Sequence, residues 1–154
     1  MPFSDDEQIL IKEKSPLKTA ILILSIGLFF FSLFNVSFCT RERCWSSIEA
    51  FSMGWLATLM GGAALTWLAN PFLIIAWILL FRNKHYSWVF ALFALLICLS
   101  FLRFDVIIDN EAGIERSISK VSIGYWLWLS SCTVTFIGSF IIKLFKLNKY
   151  SIQG

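Results

Sequence analysis

The chain has 154 residues, of which 58% are hydrophobic and 15% charged, and its formal net charge is +3. Soluble domains contain about 45–50% apolar residues, so this composition excludes an ordinary soluble domain and indicates a membrane protein. The charges lie in short clusters between long apolar blocks, which predicts one polytopic membrane domain. No basic run is long enough to follow a phosphate backbone, so we expect no nucleic-acid partner.

The first apolar block follows a polar segment at 1–18, which we expect to be a cytoplasmic N-terminal tail. The block itself, 19–38, has twenty uncharged residues, enough for a helix to cross a hydrocarbon core of about 30 Å. No A-x-A cleavage site follows it. We therefore predict the first of four membrane spans here, and not a removed signal peptide.

The segment between Glu49 and Arg82 contains no charge and is too long for one simple span. At 1.5 Å per residue a continuous helix would measure about 48 Å here, against a hydrocarbon core of about 30 Å. Ser46 and Glu49 match a capping box, and apolar residues at helical spacing follow it as far as a glycine pair. We predict an interfacial helix before a second span at 62–81, with Trp55 at the membrane surface. The alternative is one long tilted helix.

Asn70 and Pro71 interrupt the second span. Pro71 cannot donate a hydrogen bond to the carbonyl of Trp67, so we predict a kink at this point. The Asn70 side chain needs a partner in lipid, and we expect it to bond to Thr66 or to Asn35 of the first span. This is a structural role, and the alternative is a ligand site.

Two further spans are predicted at 86–102 and 121–142, followed by a basic cytoplasmic tail at 143–154. The polar connection at 103–120 has apolar residues on both sides of a turn with glycine, which predicts a short outer hairpin. The predicted fold class is therefore an all-α integral membrane protein. Its transmembrane domain, 19–142, would be a four-helix bundle with the interfacial helix before the second span.

Three aromatic residues open the fourth span: Tyr125, Trp126 and Trp128. Aromatic side chains concentrate where the hydrocarbon core meets the head groups, so we predict that they form an interfacial belt together with Trp55. A site at which a ligand ring stacks is the alternative.

Each predicted span carries small or polar residues at multiples of about 3.6, so each set lies on one helical face. Helices in lipid pack through such faces, and the simplest arrangement turns all four inward. The alternative is that one face, most readily that of the fourth span, meets a second protein. The four sets are Ser25, Ser32 and Asn35; Gly62, Thr66 and Asn70; Ala91, Ala94 and Cys98; and Ser131, Thr135, Gly138 and Ser139.

The distribution of lysine and arginine predicts the orientation of the chain. With four spans both termini lie on one side, which then holds eight of these residues against five on the other. The positive-inside rule places the side with more lysine and arginine in the cytoplasm. We therefore predict a multi-pass protein of a bacterial-type inner membrane, with both termini cytoplasmic.

No acidic, basic or histidine residue lies inside a predicted span. Pumps, proton-coupled transporters and voltage sensors need such groups at membrane depth, so these classes are disfavoured. His85, the only histidine, lies in a polar turn, and the four acids of 103–120 match no calcium-loop pattern. We predict no metal site and no cofactor.

Cys39 and Cys44 flank the first outer loop, where we predict a structural disulfide. Four spans with a cysteine pair on this loop resemble the quinone-coupled, disulfide-generating membrane oxidases. The chain departs from them because it has C-x4-C in place of C-x-x-C, and because 103–120 contains no second pair. A membrane thiol–disulfide oxidoreductase that uses Cys39 and Cys44 is therefore an alternative.

The function expected from these observations is protein–protein interaction in the membrane. Accessory subunits of membrane complexes and immunity proteins are of this size and composition. The expected partners are the lipid bilayer and either another protein or further copies of this chain. Besides the oxidoreductase, an oligomeric passive channel is the remaining alternative, because hydroxyl groups and backbone carbonyls can line a pathway.

Overall fold

The structure is a computed structural model that describes the backbone of residues 5–108 and 114–152, and the side chains of 16–108 and 114–145. The elements follow in this order: α1 (Asp5–Leu33), β1 (Val36–Thr40), β2 (Cys44–Ser46), α2 (Ser47–Ala57), α3 (Ala69–Phe81), α4 (Ser87–Ser100), β3 (Val106–Ile108), β4 (Glu115–Val121) and α5 (Ile123–Ile152). Three 3₁₀ segments connect some of them, Thr58–Met60, Gly62–Leu68 and Phe101–Arg103.

Within the described residues, three helical segments are long and apolar enough to cross a membrane: Pro16–Leu33, Gly62–Phe81 and Ile123–Phe145. A fourth apolar stretch, Ser87–Arg103, is shorter. The long apolar helices mark the chain as a membrane protein. Helix α1 begins at Asp5, so its backbone includes most of the polar segment predicted as a tail.

The prediction of an all-α fold is wrong, because the chain also forms an antiparallel sheet with the strand order β2-β1-β4-β3. The first span was predicted to reach residue 38, but α1 ends at Leu33 and β1 begins at Val36. Val121, the predicted start of the fourth span, is the last residue of β4. An uncharged run meets the length criterion for a span whether its end is helical or extended. Hydropathy therefore did not distinguish the helical residues from the strand residues that adjoin them.

The sheet is built from two hairpins that join along β1 and β4. In the first, Cys39 lies opposite Cys44. In the second, β3 and β4 pair on both sides of the turn predicted in this region, and the turn itself, 109–113, lies outside the described residues. Phe38 pairs with Val121 across the join. The sheet therefore ties the chain after the first apolar helix to the chain before the last one.

Helix α5 packs along both α1 and α4, and α3 packs against α4. The four helices alternate in direction, so the sheet lies at one end of the bundle, which we call the sheet end. The connection between α3 and α4 lies at the opposite end. There the Lys18 ammonium donates to the Phe81 carbonyl (3.3 Å) and to Asn83 Oδ1 (3.1 Å).

The small and polar faces predicted for the spans are turned toward the protein interior, with two exceptions. Gly62 is exposed and Asn35 is half-buried, whereas every other member of the four sets is buried. The face of α5 is covered by α1, where Gly138 lies against the Ile21 side chain. This face is therefore used for packing within the chain.

Hydroxyl groups of α1 and α5 and an indole N–H of α3 form hydrogen bonds deep in the bundle. Ser25 Oγ lies 3.0 Å from Ser131 Oγ and 2.6 Å from Thr135 Oγ1, and Ser131 Oγ donates to the Ser25 carbonyl (2.8 Å). Trp77 Nε1 donates to both Ser25 Oγ (2.9 Å) and Thr135 Oγ1 (3.1 Å). Ser25, Ser131 and Thr135 are completely buried. We call Ser25, Trp77, Ser131 and Thr135 together the hydroxyl cluster.

Replacing Ser25 with Ala tests the contribution of the hydroxyl cluster. The change removes one of the two acceptors of Trp77 Nε1 and one partner of Thr135. Interhelical hydrogen bonds in membranes contribute about 0.6–1.7 kcal/mol. We expect the Ser25→Ala variant to unfold at a lower temperature in detergent. The matched control is Ser130→Ala, because the exposed Ser130 hydroxyl bonds only within its own helix. Equal melting of the two variants would contradict the prediction.

Candidate binding site

A cavity of about 550 Å³ lies at the sheet end of the bundle, and we call it the cap cavity. Its walls come from the last turn of α1, the first hairpin, α2, the 3₁₀ segments that follow α2, the start of α3, the 3₁₀ segment after α4, β3, and the start of α5. Most of the lining is apolar, with Phe29, Phe51 and Phe101 among its aromatic members. This volume is in the range of sites that bind small molecules.

Helix α2 is fixed as one wall of the cap cavity by its N-terminus. The Ser46 side chain accepts from the Glu49 N–H (3.3 Å), and the Glu49 carboxylate accepts from the Ser46 N–H (3.0 Å), which is the predicted capping box. Hydrogen bonds from the Ser46 backbone and side chain hold the pKa of the Glu49 carboxyl below its usual value. The Ser47 N–H donates to the Asn35 carbonyl (2.8 Å) and so ties α2 to the end of α1.

The chain changes direction between α2 and the following span at Gly61 and Gly62. Their φ angles of 78° and 61° lie in the left-handed region, which glycine adopts without a steric penalty. The alternative of one long tilted helix is therefore wrong. Beyond the turn, Trp67 Nε1 reaches back to donate to the Phe51 carbonyl (2.8 Å), which holds the 3₁₀ segment against α2.

Asn70 repairs the hydrogen bond that Pro71 removes. Helix α3 begins at Ala69, just after the 3₁₀ segment, so the predicted irregularity is a change of helix type. The Asn70 Nδ2 donates to the Trp67 carbonyl (2.9 Å), the group that a residue other than proline at position 71 would bond. The expected bonds to Thr66 and Asn35 are absent, since Thr66 Oγ1 donates to the Ala63 carbonyl and Asn35 Nδ2 to the Phe31 carbonyl.

The four aromatic residues predicted for an interfacial belt occupy different environments. Trp55 and Trp126 are about half exposed, at 55% and 46%. Tyr125 is instead buried, and its hydroxyl donates to the Cys98 carbonyl of α4 (3.0 Å). Trp128 is half-buried and lines the cap cavity together with Tyr125. The position of an aromatic residue at the end of a span predicts its depth in the membrane. It does not predict whether the side chain faces lipid or the protein interior.

Three polar atoms of cavity-lining residues are buried and have no hydrogen-bonding partner in the protein. They are the indole Nε1 atoms of Trp45 and Trp128, and the hydroxyl of Ser47. Buried polar groups are normally paired, so these three atoms are exceptions to the usual pattern.

The sulfur atoms of Cys39 and Cys44 lie at disulfide-bonding distance. Each cysteine is followed or preceded by an aromatic residue of the cavity wall, Phe38 before Cys39 and Trp45 after Cys44. The Arg43 guanidinium lies over the Trp45 ring, 3.8 Å from its centroid. The hairpin that carries the cysteines is therefore also a wall of the site.

Among the described residues, the lining of the cap cavity contains no acid, no lysine, no arginine and no histidine. Nor does any cluster of three or more metal-binding side chains occur in that part of the chain. Comparison with protein-family models, curated proteins and solved structures gave no match. The chemistry available at the site is shape complementarity and hydrogen bonding.

The pairing of Asn70 with the Trp67 carbonyl can be measured with a double-mutant cycle. Asn70→Ala should destabilise the protein by about 0.6–2 kcal/mol, because it removes the side-chain hydrogen bond to that carbonyl in an apolar environment. Adding Pro71→Ala restores a backbone N–H that can donate to the same carbonyl. We therefore expect the double variant to melt at a higher temperature in detergent than Asn70→Ala alone. Additive losses from the two substitutions would contradict this account.

Proposed function

We propose that this chain is a small multi-pass inner-membrane protein that acts by binding another protein, as accessory subunits and immunity proteins do. The cap cavity and its rim carry the proposal. General acid–base and nucleophilic catalysis need a titratable or activated group beside the reacting atom. Binding needs only a concave apolar surface with a few placed polar groups, which is the lining that this cavity has.

In the proposed arrangement α1, the segment 62–81, α4 and α5 are four spans, with both termini in the cytoplasm. The excess of lysine and arginine at the end opposite the sheet supports this orientation. The apolar stretch Ser87–Arg103 is near the lower limit of about 17 residues for a span. The sheet end then faces the outer compartment, and the cap cavity lies at the outer membrane surface.

The rim of the cap cavity is the surface that we propose for the partner protein. Four of its lining residues, Met53, Leu56, Leu59 and Met60, are also exposed, and Leu59 is exposed to 86%. The small-residue face of α5 supports no such role, because α1 already covers it. Protein interfaces are enriched in methionine, and two of these four residues are methionines.

Photo-crosslinking in intact membranes tests this surface. We expect benzoylphenylalanine in place of Leu59 to give one discrete protein adduct, because Leu59 lies at the proposed contact. The same group in place of the exposed Ile23 on α1 should label lipid only. Leu56→Ser should reduce the protein adduct, whereas Leu24→Ser, an equivalent change on α1, should not. Lipid labelling alone at both positions would reject the protein partner.

A second candidate function, that of a membrane thiol–disulfide oxidoreductase, is supported by the position of the cysteine pair. Cys44 is exposed, and both cysteines lie in the hairpin that borders the cap cavity. However, the segment 103–120 contains no cysteine that could relay the exchange, and this argues against the oxidoreductase. We therefore propose a disulfide that stabilises the hairpin and does not cycle.

Replacing both Cys39 and Cys44 with Ser distinguishes these roles. Closing so short a loop contributes about 2 kcal/mol in the chain-entropy description, so we expect the melting temperature in detergent to fall by several degrees. The protein adduct formed at Leu59 should remain. The result that would instead support the oxidoreductase is a mixed disulfide, trapped between Cys44 of a Cys39→Ser variant and a soluble thiol protein.

A further inference from the structure

The charges of the chain are divided unevenly between the two ends of the bundle. By position in the sequence, the end opposite the sheet has eight lysine or arginine residues and four acids, whereas the sheet end has five and six. Among the residues whose side chains the structure describes, all four acids lie at the sheet end: Glu42, Glu49, Asp105 and Glu115. The charged side chains described at the opposite end are therefore all basic.

Three of these basic residues lie close to the end of α3. Arg82 and Lys84 belong to the connection between α3 and α4, and both are exposed. Lys18 of α1 reaches the same place, because its ammonium donates to the Phe81 carbonyl and to Asn83 Oδ1. Both acceptors are uncharged, so they do not neutralise the ammonium, and its third N–H can bond a further acceptor. We call Lys18, Arg82 and Lys84 the basic cluster.

An apolar face of α3 leads away from the basic cluster along the helix. Ile74, Ile78 and Phe81 are separated by four and three residues, so they share one side of the helix, and all three are exposed. We call these residues the exposed face of α3. The Lys18 ammonium lies 5.8 Å from the centroid of the Phe81 ring, which places a positive charge at the end of this face. Cations followed by an apolar face are complementary to a phosphate head group with hydrocarbon chains.

We propose that the basic cluster binds the head group of an anionic phospholipid, and that an acyl chain of this lipid lies along the exposed face of α3. Basic residues between transmembrane helices can bind anionic head groups in this way. The ligand is a lipid and not a free phosphate, because a soluble anion would gain nothing from the apolar face. This site is separate from the cap cavity and from the proposed protein partner, which lie at the sheet end.

The test compares dioleoylphosphatidylglycerol with dioleoylphosphatidylcholine, which has the same acyl chains but no net charge. Binding to the full-length protein in detergent is followed by native mass spectrometry. Each lysine or arginine near an anionic head group contributes a factor of about five in affinity, so we expect phosphatidylglycerol to bind at least about fivefold more tightly. Glycerophosphoglycerol, the head group without acyl chains, should not displace the bound lipid at equal concentration.

Substitutions assign the preference to the basic cluster. Arg82→Gln combined with Lys84→Gln should weaken phosphatidylglycerol binding by about 5–30-fold and leave phosphatidylcholine binding unchanged. Unchanged phosphatidylcholine binding also shows that the variant is folded. The matched control combines Arg41→Gln with Lys120→Gln, because it removes one exposed arginine and one exposed lysine from the sheet end.

Three results would overturn the inference. One is equal binding of the two phospholipids to the native protein. Another is that the Arg82 and Lys84 variant loses no more phosphatidylglycerol binding than the sheet-end control does. The third is displacement of the lipid by glycerophosphoglycerol, which would identify a site for a soluble phosphate ester. The protein adduct at Leu59 is measured separately, so the protein partner can fail while the lipid site stands, and the reverse.

Discussion

The hydroxyl cluster of Ser25, Trp77, Ser131 and Thr135 is the interaction on which the rest of the bundle depends. Lipid tails are as apolar as leucine side chains, so burial of apolar surface does not by itself hold transmembrane helices together. Close packing of small residues and hydrogen bonds between helices must do so. The cluster supplies both, because small side chains let α1 approach α5 and their hydroxyl groups then bond across the gap. Trp77 brings α3 to the same point.

This packing also accounts for the position of the cap cavity. Close contact between α1 and α5 brings β1 and β4 together where the two helices meet the sheet end. Helix α2 contacts α1 and the first hairpin, and its 3₁₀ continuation contacts β3 and α4. These two segments line the cap cavity. They are held by the capping box and by the hydrogen bond from Trp67 Nε1 to the Phe51 carbonyl. The cavity is the space between the ends of the packed helices on one side and α2 with its 3₁₀ continuation on the other.

The sequence predicted those features that depend on residues close together in the chain. The capping box at Ser46 follows from spacing alone, and the small faces of the spans follow from helical periodicity. The β1 strand was missed because Val36–Thr40 is uncharged and continuous with an apolar helix, and its partner β4 is far away in sequence.

The partner of Asn70 was predicted wrongly, since the nearest acceptor is the carbonyl that Pro71 itself leaves free. The cap cavity could not be predicted at all, because its walls come from separate segments whose meeting depends on the sheet. The inward orientation of the Tyr125 side chain could not be predicted either, because its hydrogen-bonding partner, the Cys98 carbonyl, lies in the last turn of α4.

The pairing of β1 with β4 has a consequence for how the protein is made. In the proposed topology, the first hairpin can form as soon as residues 36–46 have left the ribosome and reached the outer side of the membrane. The other edge of β1 must wait until α2, α3 and α4 have been synthesised, since β4 follows all of them. During this interval β1 presents unpaired backbone groups, and exposed strand edges invite pairing with other chains. We therefore expect the first hairpin to form before the rest of the sheet end, and the sheet to be completed only after β4 has been synthesised.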